Sequence, residues 1–220
     1  MLNSDHWSLL LGDEAGYPTT SLGDTVGSGE FGRGVSPGGV TDRGYYAFET
    51  GGGNRALGVQ IGPTGFAAAV PSLRVKNETG VLVDHLHVSY EIWVNNDSGN
   101  SNYFDLEFSD DSTYIDPLFF DTPAAADAVS TWTKTELEYD LMLPVTVIGL
   151  GTIEALENGD SLWVEWSIGG SLDALNGYDE VALDNVRITA FSTAIPEPQT
   201  CIALSFMGAI VVARRRRRSV

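Results

Sequence analysis

Apolar and polar residues alternate with a period of two in several segments, and no segment between residues 1 and 195 keeps a helical period. The clearest runs place apolar residues at every second position of 86–94, 104–108, 137–143 and 162–168. A period of two puts each apolar set on one face of a strand, so these strands are predicted to be packed on one side and solvated on the other. Clusters of Asn, Asp, Gly and Ser between the runs predict turns.

Short strands at this spacing predict an all-β fold, an antiparallel β-sandwich of the jelly-roll type. We expect the sandwich domain to span residues 44–192. Residues 1–43 are rich in glycine and weakly patterned, and they predict an edge strand and loops. Residues 193–220 differ in composition from both and form a separate tail.

Composition excludes several classes of function. The chain has 220 residues, 43% of them apolar, which is enough for one domain with its own core. Its 30 Asp and Glu against 12 Lys and Arg give a formal net charge of −18, and a body this acidic repels nucleic acid. The single cysteine, Cys201, excludes an internal disulfide, and with only three His it excludes most zinc sites.

The tail combines three features in order. Pro196, Glu197 and Pro198 form a stiff, non-helical spacer. An uncharged apolar segment follows and predicts a short hydrophobic helix over 200–213 that associates with a membrane. Five basic residues then stay on the cytoplasmic side under the positive-inside rule, which puts the body outside. They are Arg214, Arg215, Arg216, Arg217 and Arg218.

This order of a Pro-Glu-Pro motif, a hydrophobic segment and a basic cluster resembles the PEP-CTERM sorting signal of Gram-negative envelope proteins. The resemblance implies recognition by an exosortase-type membrane enzyme, cleavage near Pro196–Pro198, and transient membrane anchoring. It also implies delivery to the cell surface or the extracellular matrix.

Export needs a signal peptide, and residues 1–8 contain neither a basic region nor a long apolar region. We therefore expect a signal peptide to be encoded upstream of Met1. The alternative is that the chain is not exported and that the tail is vestigial.

Several motifs of the body occur in a characteristic order: Arg55-Ala-Leu-Gly58, Asn77-Glu-Thr-Gly80, Tyr90-Glu-Ile-Trp93 and Asp184-Asn-Val186. The series is similar to that of the β-sandwich domain of PEP-CTERM and related secreted bacterial proteins, over roughly residues 50–192. The resemblance implies a fold and a secreted setting, and it implies no activity.

Trp93 and Trp163 fall on the polar faces of their predicted strands. Flat aromatic rings on a sandwich face suit sugar rings, so these are the candidate ligand-binding residues. The alternative is that each ring packs under a neighbouring loop or on the N-terminal segment.

Asp179, Glu180 and Asp184 lie at the start of the last predicted strand. Asp184 shares its parity with Ala182 and Val186, which predicts an inward side chain unless a bulge intervenes. A buried carboxylate needs hydrogen bonds or a cation, and the ends of jelly-roll strands often hold a structural Ca²⁺. The three acids are thus candidate calcium ligands, the alternative being hydrogen-bonded loop caps. No other cofactor is expected.

Glu136, Glu138 and Asp140 share one face of a predicted strand. Retaining glycosidases on concanavalin-type sandwiches use a similar acidic triplet, but the order of Glu and Asp departs from theirs. We expect a solvated strand face here and no enzyme activity.

The function expected from the sequence is that of an exported structural or adhesive component of the envelope or the extracellular polysaccharide matrix. One alternative is a non-catalytic carbohydrate-binding module, and another is a glycan hydrolase. They differ in whether the two tryptophans are exposed and in whether Glu136 and Asp140 line a groove.

Overall fold

The computed structural model describes residues 7–12, 18–22, 32–61, 69–110, 113–123, 126, 130–148, 151–170 and 178–193. Within these ranges the regular structure consists of strands and no helix. The strands are β1 (Trp7–Gly12), β2 (Pro18–Leu22), β3 (Val35–Ser36), β4 (Gly44–Gly51), β5 (Asn54–Gln60), β6 (Ala69–Lys76), β7 (His85–Asn95), β8 (Asn102–Ser109), β9 (Tyr114–Asp121), β10 (Trp132–Met142), β11 (Val145–Val147), β12 (Gly151–Ile153), β13 (Ser161–Gly170) and β14 (Glu180–Phe191).

The helix predicted over 200–213 lies outside the described residues. Nothing helical in the described ranges has the length and apolar character to cross a bilayer.

Twelve of the described strands form two six-stranded sheets. In sheet A the spatial order is β2-β1-β6-β13-β8-β9, and in sheet B it is β10-β7-β14-β5-β4-β3. Neighbouring strands are antiparallel, except that β3 pairs in parallel with β4. The remaining β11 and β12 form a hairpin. The predicted all-β class and antiparallel β-sandwich are confirmed.

The core lies between the two sheets and is filled by the apolar positions of the period-two runs. Trp166 of β13 is fully buried there, and its ring stacks on Trp7 and meets Tyr90 edge-on, with centroids 5.8 Å apart in each pair. The polar positions of the same strands face outward and form the two outer faces of the sandwich.

The N-terminal segment takes a larger part in the sandwich than the predicted edge strand. β1 is an inner strand of sheet A, hydrogen-bonded to β2 on one side and to β6 on the other. Leu9 and Leu11 belong to the main core. The apolar alternation that begins at Trp7 covers only three positions. A pattern this short does not predict whether a strand has neighbours on one edge or on both.

A second, smaller apolar cluster lies on the outer face of sheet B. Its buried members are Tyr46, Phe48, Ala56 and Ala182, and Val40, Trp93 and Trp132 pack against them. The segment before β4 packs on this cluster through Val40, and Trp132 Nε1 donates a hydrogen bond to the Pro37 carbonyl oxygen at 2.8 Å. Gly58 leaves space for the Phe48 ring, because a Cβ at Gly58 would stand 2.0 Å from that ring.

Candidate functional site

A β-bulge in β14 opens a groove on the outer face of sheet B. The register between β14 and β7 shifts between Asp184 and Arg187, and Asn185 takes a φ of 49°. Bulges of this kind re-aim a side chain and interrupt the pairing. Beside the bulge lies an open groove of about 440 Å³, lined by Ser89, Tyr90, Glu91, Glu136, Leu137, Glu138 and Asn185.

Glu91 is the centre of the hydrogen bonds in this groove. Its Oε2 accepts from Asn185 Nδ2 at 2.9 Å, and its Oε1 accepts from Lys134 Nζ at 2.8 Å. Lys134 also donates to Glu136 Oε1 at 2.7 Å. The bond from the Lys134 ammonium is the main reason that the pKa of the Glu91 carboxyl is lowered. The bonds to Glu136 and Glu91 raise the pKa of Lys134 in turn, so the groove carries ionised groups at neutral pH.

The groove presents hydrogen-bond donors and acceptors in a small space. Ser89 and Asn185 both donate and accept, whereas an ionised carboxylate only accepts. The Glu136 and Glu138 side chains are 72% and 79% exposed, whereas that of Glu91 is 15% exposed, so Glu136 and Glu138 are the carboxylates that an incoming ligand meets. Hydroxyl-rich ligands satisfy such a surface, because each hydroxyl both donates and accepts.

Trp93 borders the groove, next in the row of outward side chains on β7 after Glu91. Its half-buried ring packs in the second apolar cluster, and Lys134 Nζ lies 5.9 Å from the ring centroid. The residue is thus partly covered by the cluster, and it lies beside the groove without lining it. Its predicted part in ligand binding stays a prediction.

Trp163 lies on the opposite side of the molecule, on the outer face of sheet A. Its ring is half-buried, and the Arg74 guanidinium lies 5.9 Å from the ring centroid. Arg74 also donates to Ser161 Oγ at 2.8 Å. Because Trp93 and Trp163 occupy opposite outer faces, they cannot both contact a ligand bound to one face.

The carboxylates of Asp179 and Glu180 are buried and accept hydrogen bonds from different segments. Asp179 Oδ1 accepts from the Ser98 backbone N–H at 3.0 Å. Glu180 accepts from the Val40 backbone N–H at 2.6 Å and from Asn95 Nδ2 at 3.0 Å. Burial is the main reason that the pKa of Glu180 rises to about 7. The two carboxylates therefore connect the start of β14 by hydrogen bonds to the segments that contain Val40 and Ser98 and to the end of β7.

Asp184 faces outward: its parity predicts an inward side chain only in the absence of a bulge, and a bulge is present at Asn185. The bulge at Asn185 inverts the alternation along β14. Ala182, before the bulge, belongs to the outer cluster, whereas Val186 and Ile188, after it, pack on the main core. A bulge changes the face of every later side chain, because the period of a strand is two.

The three candidate calcium ligands all accept hydrogen bonds from N–H donors. Asp184 Oδ2 accepts from Asn54 Nδ2 at 2.6 Å, in addition to the bonds given above for Asp179 and Glu180. In the part of the chain that the structure describes, no three or more His, Cys, Asp or Glu side chains are grouped to hold a metal. Structural calcium stays a prediction, which thermal melts in EGTA and in added calcium test.

The acidic triplet of β10 shares the outer face of sheet B and is divided between two settings. Glu136 and Glu138 line the groove. Asp140 lies beyond it, with Oδ1 2.9 Å from His85 Nε2 and 3.0 Å from His87 Nδ1. These bonds, led by that of His85, lower the pKa of Asp140. Only two of the three carboxylates therefore face the groove.

The residues of the predicted sorting signal lie outside the described residues. They are Pro196, Glu197, Pro198, Arg214, Arg215, Arg216, Arg217 and Arg218. The last described residue, Thr193, is bonded to the body, because its backbone N–H and its hydroxyl both donate to the Asp84 carboxylate. The tail thus leaves from the end of the sandwich where β7 begins and β14 ends.

Sequence reasoning missed most of the groove. Ser89, Glu91 and Lys134 read as ordinary polar positions, since a strand's sequence does not show which strands are its neighbours. One signal was available at Asn185, which follows Asp184 and interrupts the apolar positions of the last strand. Asn is enriched at positive φ, so such a residue within a strand indicates a bulge.

No protein-family model and no curated protein matches the chain. Among solved structures, TmCBM61 in complex with beta-1,4-galactotriose is 12% identical with a TM-score of 0.39, and the match covers 63% of this chain and 72% of that one. The CBM22-1 xylan-binding domain from Paenibacillus barcinonensis Xyn10C is 17% identical with a TM-score of 0.37, over 71% and 85%. The enzymatically active domain of tailspike protein 4 from bacteriophage CBA120 is 11% identical with a TM-score of 0.39, over 86% and 20%.

Proposed function

We propose that this chain is a non-catalytic carbohydrate-binding module whose ligand lies in the groove on the outer face of sheet B. The observation that carries the proposal is the groove beside the bulge, where Glu136, Ser89 and Asn185 present acceptors and donors. Sugar hydroxyls satisfy both kinds of group, and the half-buried Trp93 ring beside the groove is the nearest flat apolar surface.

The module is expected to hold its ligand without cleaving it. Hydrolysis of a glycosidic bond uses two carboxyl groups, one of which must be protonated at the working pH. Glu91 has a lowered pKa, so its carboxylate is not suited to deliver a proton. Glu136 accepts a hydrogen bond from the Lys134 ammonium, which engages one of its oxygens. This arrangement favours binding over hydrolysis.

The setting we propose is the cell surface or the extracellular matrix of an envelope. The support is the order of parts in the tail and its resemblance to the PEP-CTERM signal, with an exosortase-type enzyme as the sorting partner. A module held at a surface while it binds extracellular polysaccharide acts as an adhesive or structural component of the matrix. A tagged chain with its native leader should appear at the surface or in the matrix, and recovery from the cytosol alone would contradict this setting.

Calorimetric titration with soluble neutral polysaccharides tests the binding. Glu136→Gln should weaken binding about tenfold or more, since a hydrogen bond to a charged group contributes about 1.5–3 kcal/mol and each 1.4 kcal/mol is about a factor of ten. Glu154→Gln alters an exposed carboxylate outside the groove and is the matched control, so it should bind like the parent. The proposal fails if the parent binds no polysaccharide, or if both variants lose affinity equally.

A further inference from the structure

Exposed large apolar side chains gather at one end of the sandwich. Of the eight such side chains found in the described ranges, six lie at the end where β7 begins and β14 ends. They are Val81, Leu82, Tyr114, Met142, Ile148 and Phe191, with exposed fractions between 39% and 99%. The other two lie elsewhere, Val35 in the edge strand of sheet B and Phe119 in the edge strand of sheet A.

Strand pairing places four of the six around the start of β7. Met142 and Phe191 both pair with His85, from the two strands that flank β7. Val81 and Leu82 directly precede Val83, whose backbone pairs with that of Leu156. The four side chains therefore project from adjoining strand and loop ends.

The remaining two belong to the same end of sheet A. Tyr114 begins β9 and pairs with Ser109, the last residue of β8, near the start of β13. The first residue of β13 pairs with the last residue of β6, and residues 77–84 lead from there to the start of β7. Ile148 directly follows β11, in the hairpin whose second strand, β12, begins at Gly151. A Cβ on Gly151 would stand 2.3 Å from Thr113 Oγ1, so this hairpin packs beside the start of β9.

The tail leaves from this end as well. Thr193 is bonded to Asp84, the residue before His85, and only residues 194–198 separate it from the uncharged apolar segment 199–213. Six Cα–Cα steps lead from Thr193 to Gln199, and they span at most about 22 Å. A bilayer that holds the apolar segment therefore keeps this end of the body within about 22 Å of its surface.

We infer that this end of the sandwich rests on a lipid bilayer, with the six apolar side chains in the interfacial layer. Exposed apolar patches of this kind mark interaction surfaces, and apolar side chains gain free energy on entering a membrane interface. Glu78, Asp84 and Glu157 stand in the loops of the same end, so the surface suits zwitterionic headgroups and is repelled by anionic ones. The inference rests on the membrane-associated tail of the proposed function and is independent of glycan binding.

Fluorescence quenching in nanodiscs tests this contact. The full chain with Cys201→Ser and Ile148→Cys is labelled with the NBD fluorophore and placed in phosphatidylcholine nanodiscs with brominated acyl chains. Ile148 is 99% exposed, so a label there disturbs no packing. Quenching should be several-fold stronger than for a label at Val35→Cys, the matched exposed position away from this end, and weaker in phosphatidylglycerol nanodiscs.

Each other outcome has a distinct meaning. A chain that co-elutes with nanodiscs but is quenched equally or not at all at the two positions overturns the inference and leaves tail anchoring intact. A chain that does not co-elute overturns both, while the glycan titration remains an independent test. Quenching that appears only at several chains per nanodisc indicates a second copy as the partner and also overturns the inference.

A second pair of variants tests the patch itself. Met142→Ser combined with Phe191→Ser should lower the quenching of the label at position 148, whereas Phe119→Ser should leave it unchanged. Melting temperatures of the variants establish that they are folded. Equal effects of the two changes would show that the patch does not make the contact.

Discussion

At the scale of single residues, the outer face of sheet A shows what the fold does to a carboxyl group. Glu107 of β8 lies directly opposite Glu165 of β13. Partial burial is the main cause, and the Glu165 charge the next, of a rise in the pKa of Glu107 to about 7. Glu165 itself accepts a hydrogen bond from Ser109 Oγ at 2.6 Å. The two glutamates of this cross-strand pair therefore differ in their hydrogen bonds, although their side chains are the same.

The raised pKa of Glu107 predicts a pH dependence of stability. Between pH 4.5, the ordinary pKa of a glutamate, and about pH 7, the folded protein holds a proton on Glu107 that the unfolded chain releases. This contribution to the free energy of unfolding is therefore present at low pH and is lost as the pH rises through about 7. Glu107→Gln should flatten the fall in melting temperature between about pH 5 and 7.

Glu154→Gln, at an exposed position on another segment, is the control and should keep the parent's slope. If Glu107→Gln keeps that slope too, Glu107 does not carry the proton.

At the scale of elements, β14 changes its pairing at one residue. Up to Leu183 it pairs with both β5 and β7, and beyond the bulge it pairs with β7 alone. Asn185 makes the change possible, because Asn tolerates the left-handed region and its amide reaches Glu91. The same residue thus ends one strand pair and lines the groove.

Two substitutions separate these roles of Asn185. Asn185→Val places a β-branched side chain at positive φ and should cost about 1–2 kcal/mol in denaturant unfolding. Asn185→Gly keeps the backbone conformation and loses the bond to Glu91, so it should retain most of the stability and bind polysaccharide more weakly than the parent. Equal stability of the Val variant and the parent would refute the strained bulge.

At the scale of the whole molecule, an apolar core is surrounded by a strongly acidic surface. Acidic residues outnumber basic ones by 30 to 12. They also lie near one another on both outer faces, as with Glu107 and Glu165 on sheet A and Glu136 and Glu138 on sheet B. Such self-repulsion opposes the compact state and repels anionic polymers. Glycans without negative charge are therefore the expected ligands.

The charge balance predicts a salt effect on stability. Raising the concentration of sodium chloride screens the repulsion, so the melting temperature at neutral pH should rise between low and physiological salt. The same series of salt concentrations at about pH 4, where carboxyl groups of ordinary pKa are about half protonated, should show a much smaller rise in melting temperature. A melting temperature that falls with salt at neutral pH would mean that ion pairs, and not repulsion, dominate.

The prediction of the fold from the sequence was most successful where the information is local. Alternation at 86–94 and 162–168 identified β7 and β13, their core faces and the outward positions of Trp93 and Trp163. Side-chain direction in a strand depends only on position along that strand, so the pattern was sufficient. The pattern alone did not decide the direction of Asp184, because one extra residue in the ladder reverses the faces and only the structure shows that residue.

Alternation and composition by themselves determined that this protein is an acidic β-sandwich with a basic, apolar tail. Only the tertiary structure decided which polar side chains meet. Lys134 and Asn185 converge on Glu91 from 43 and 94 positions away along the chain. Strand order and register set those meetings, and both arise from the packing of two whole sheets, which no single segment encodes.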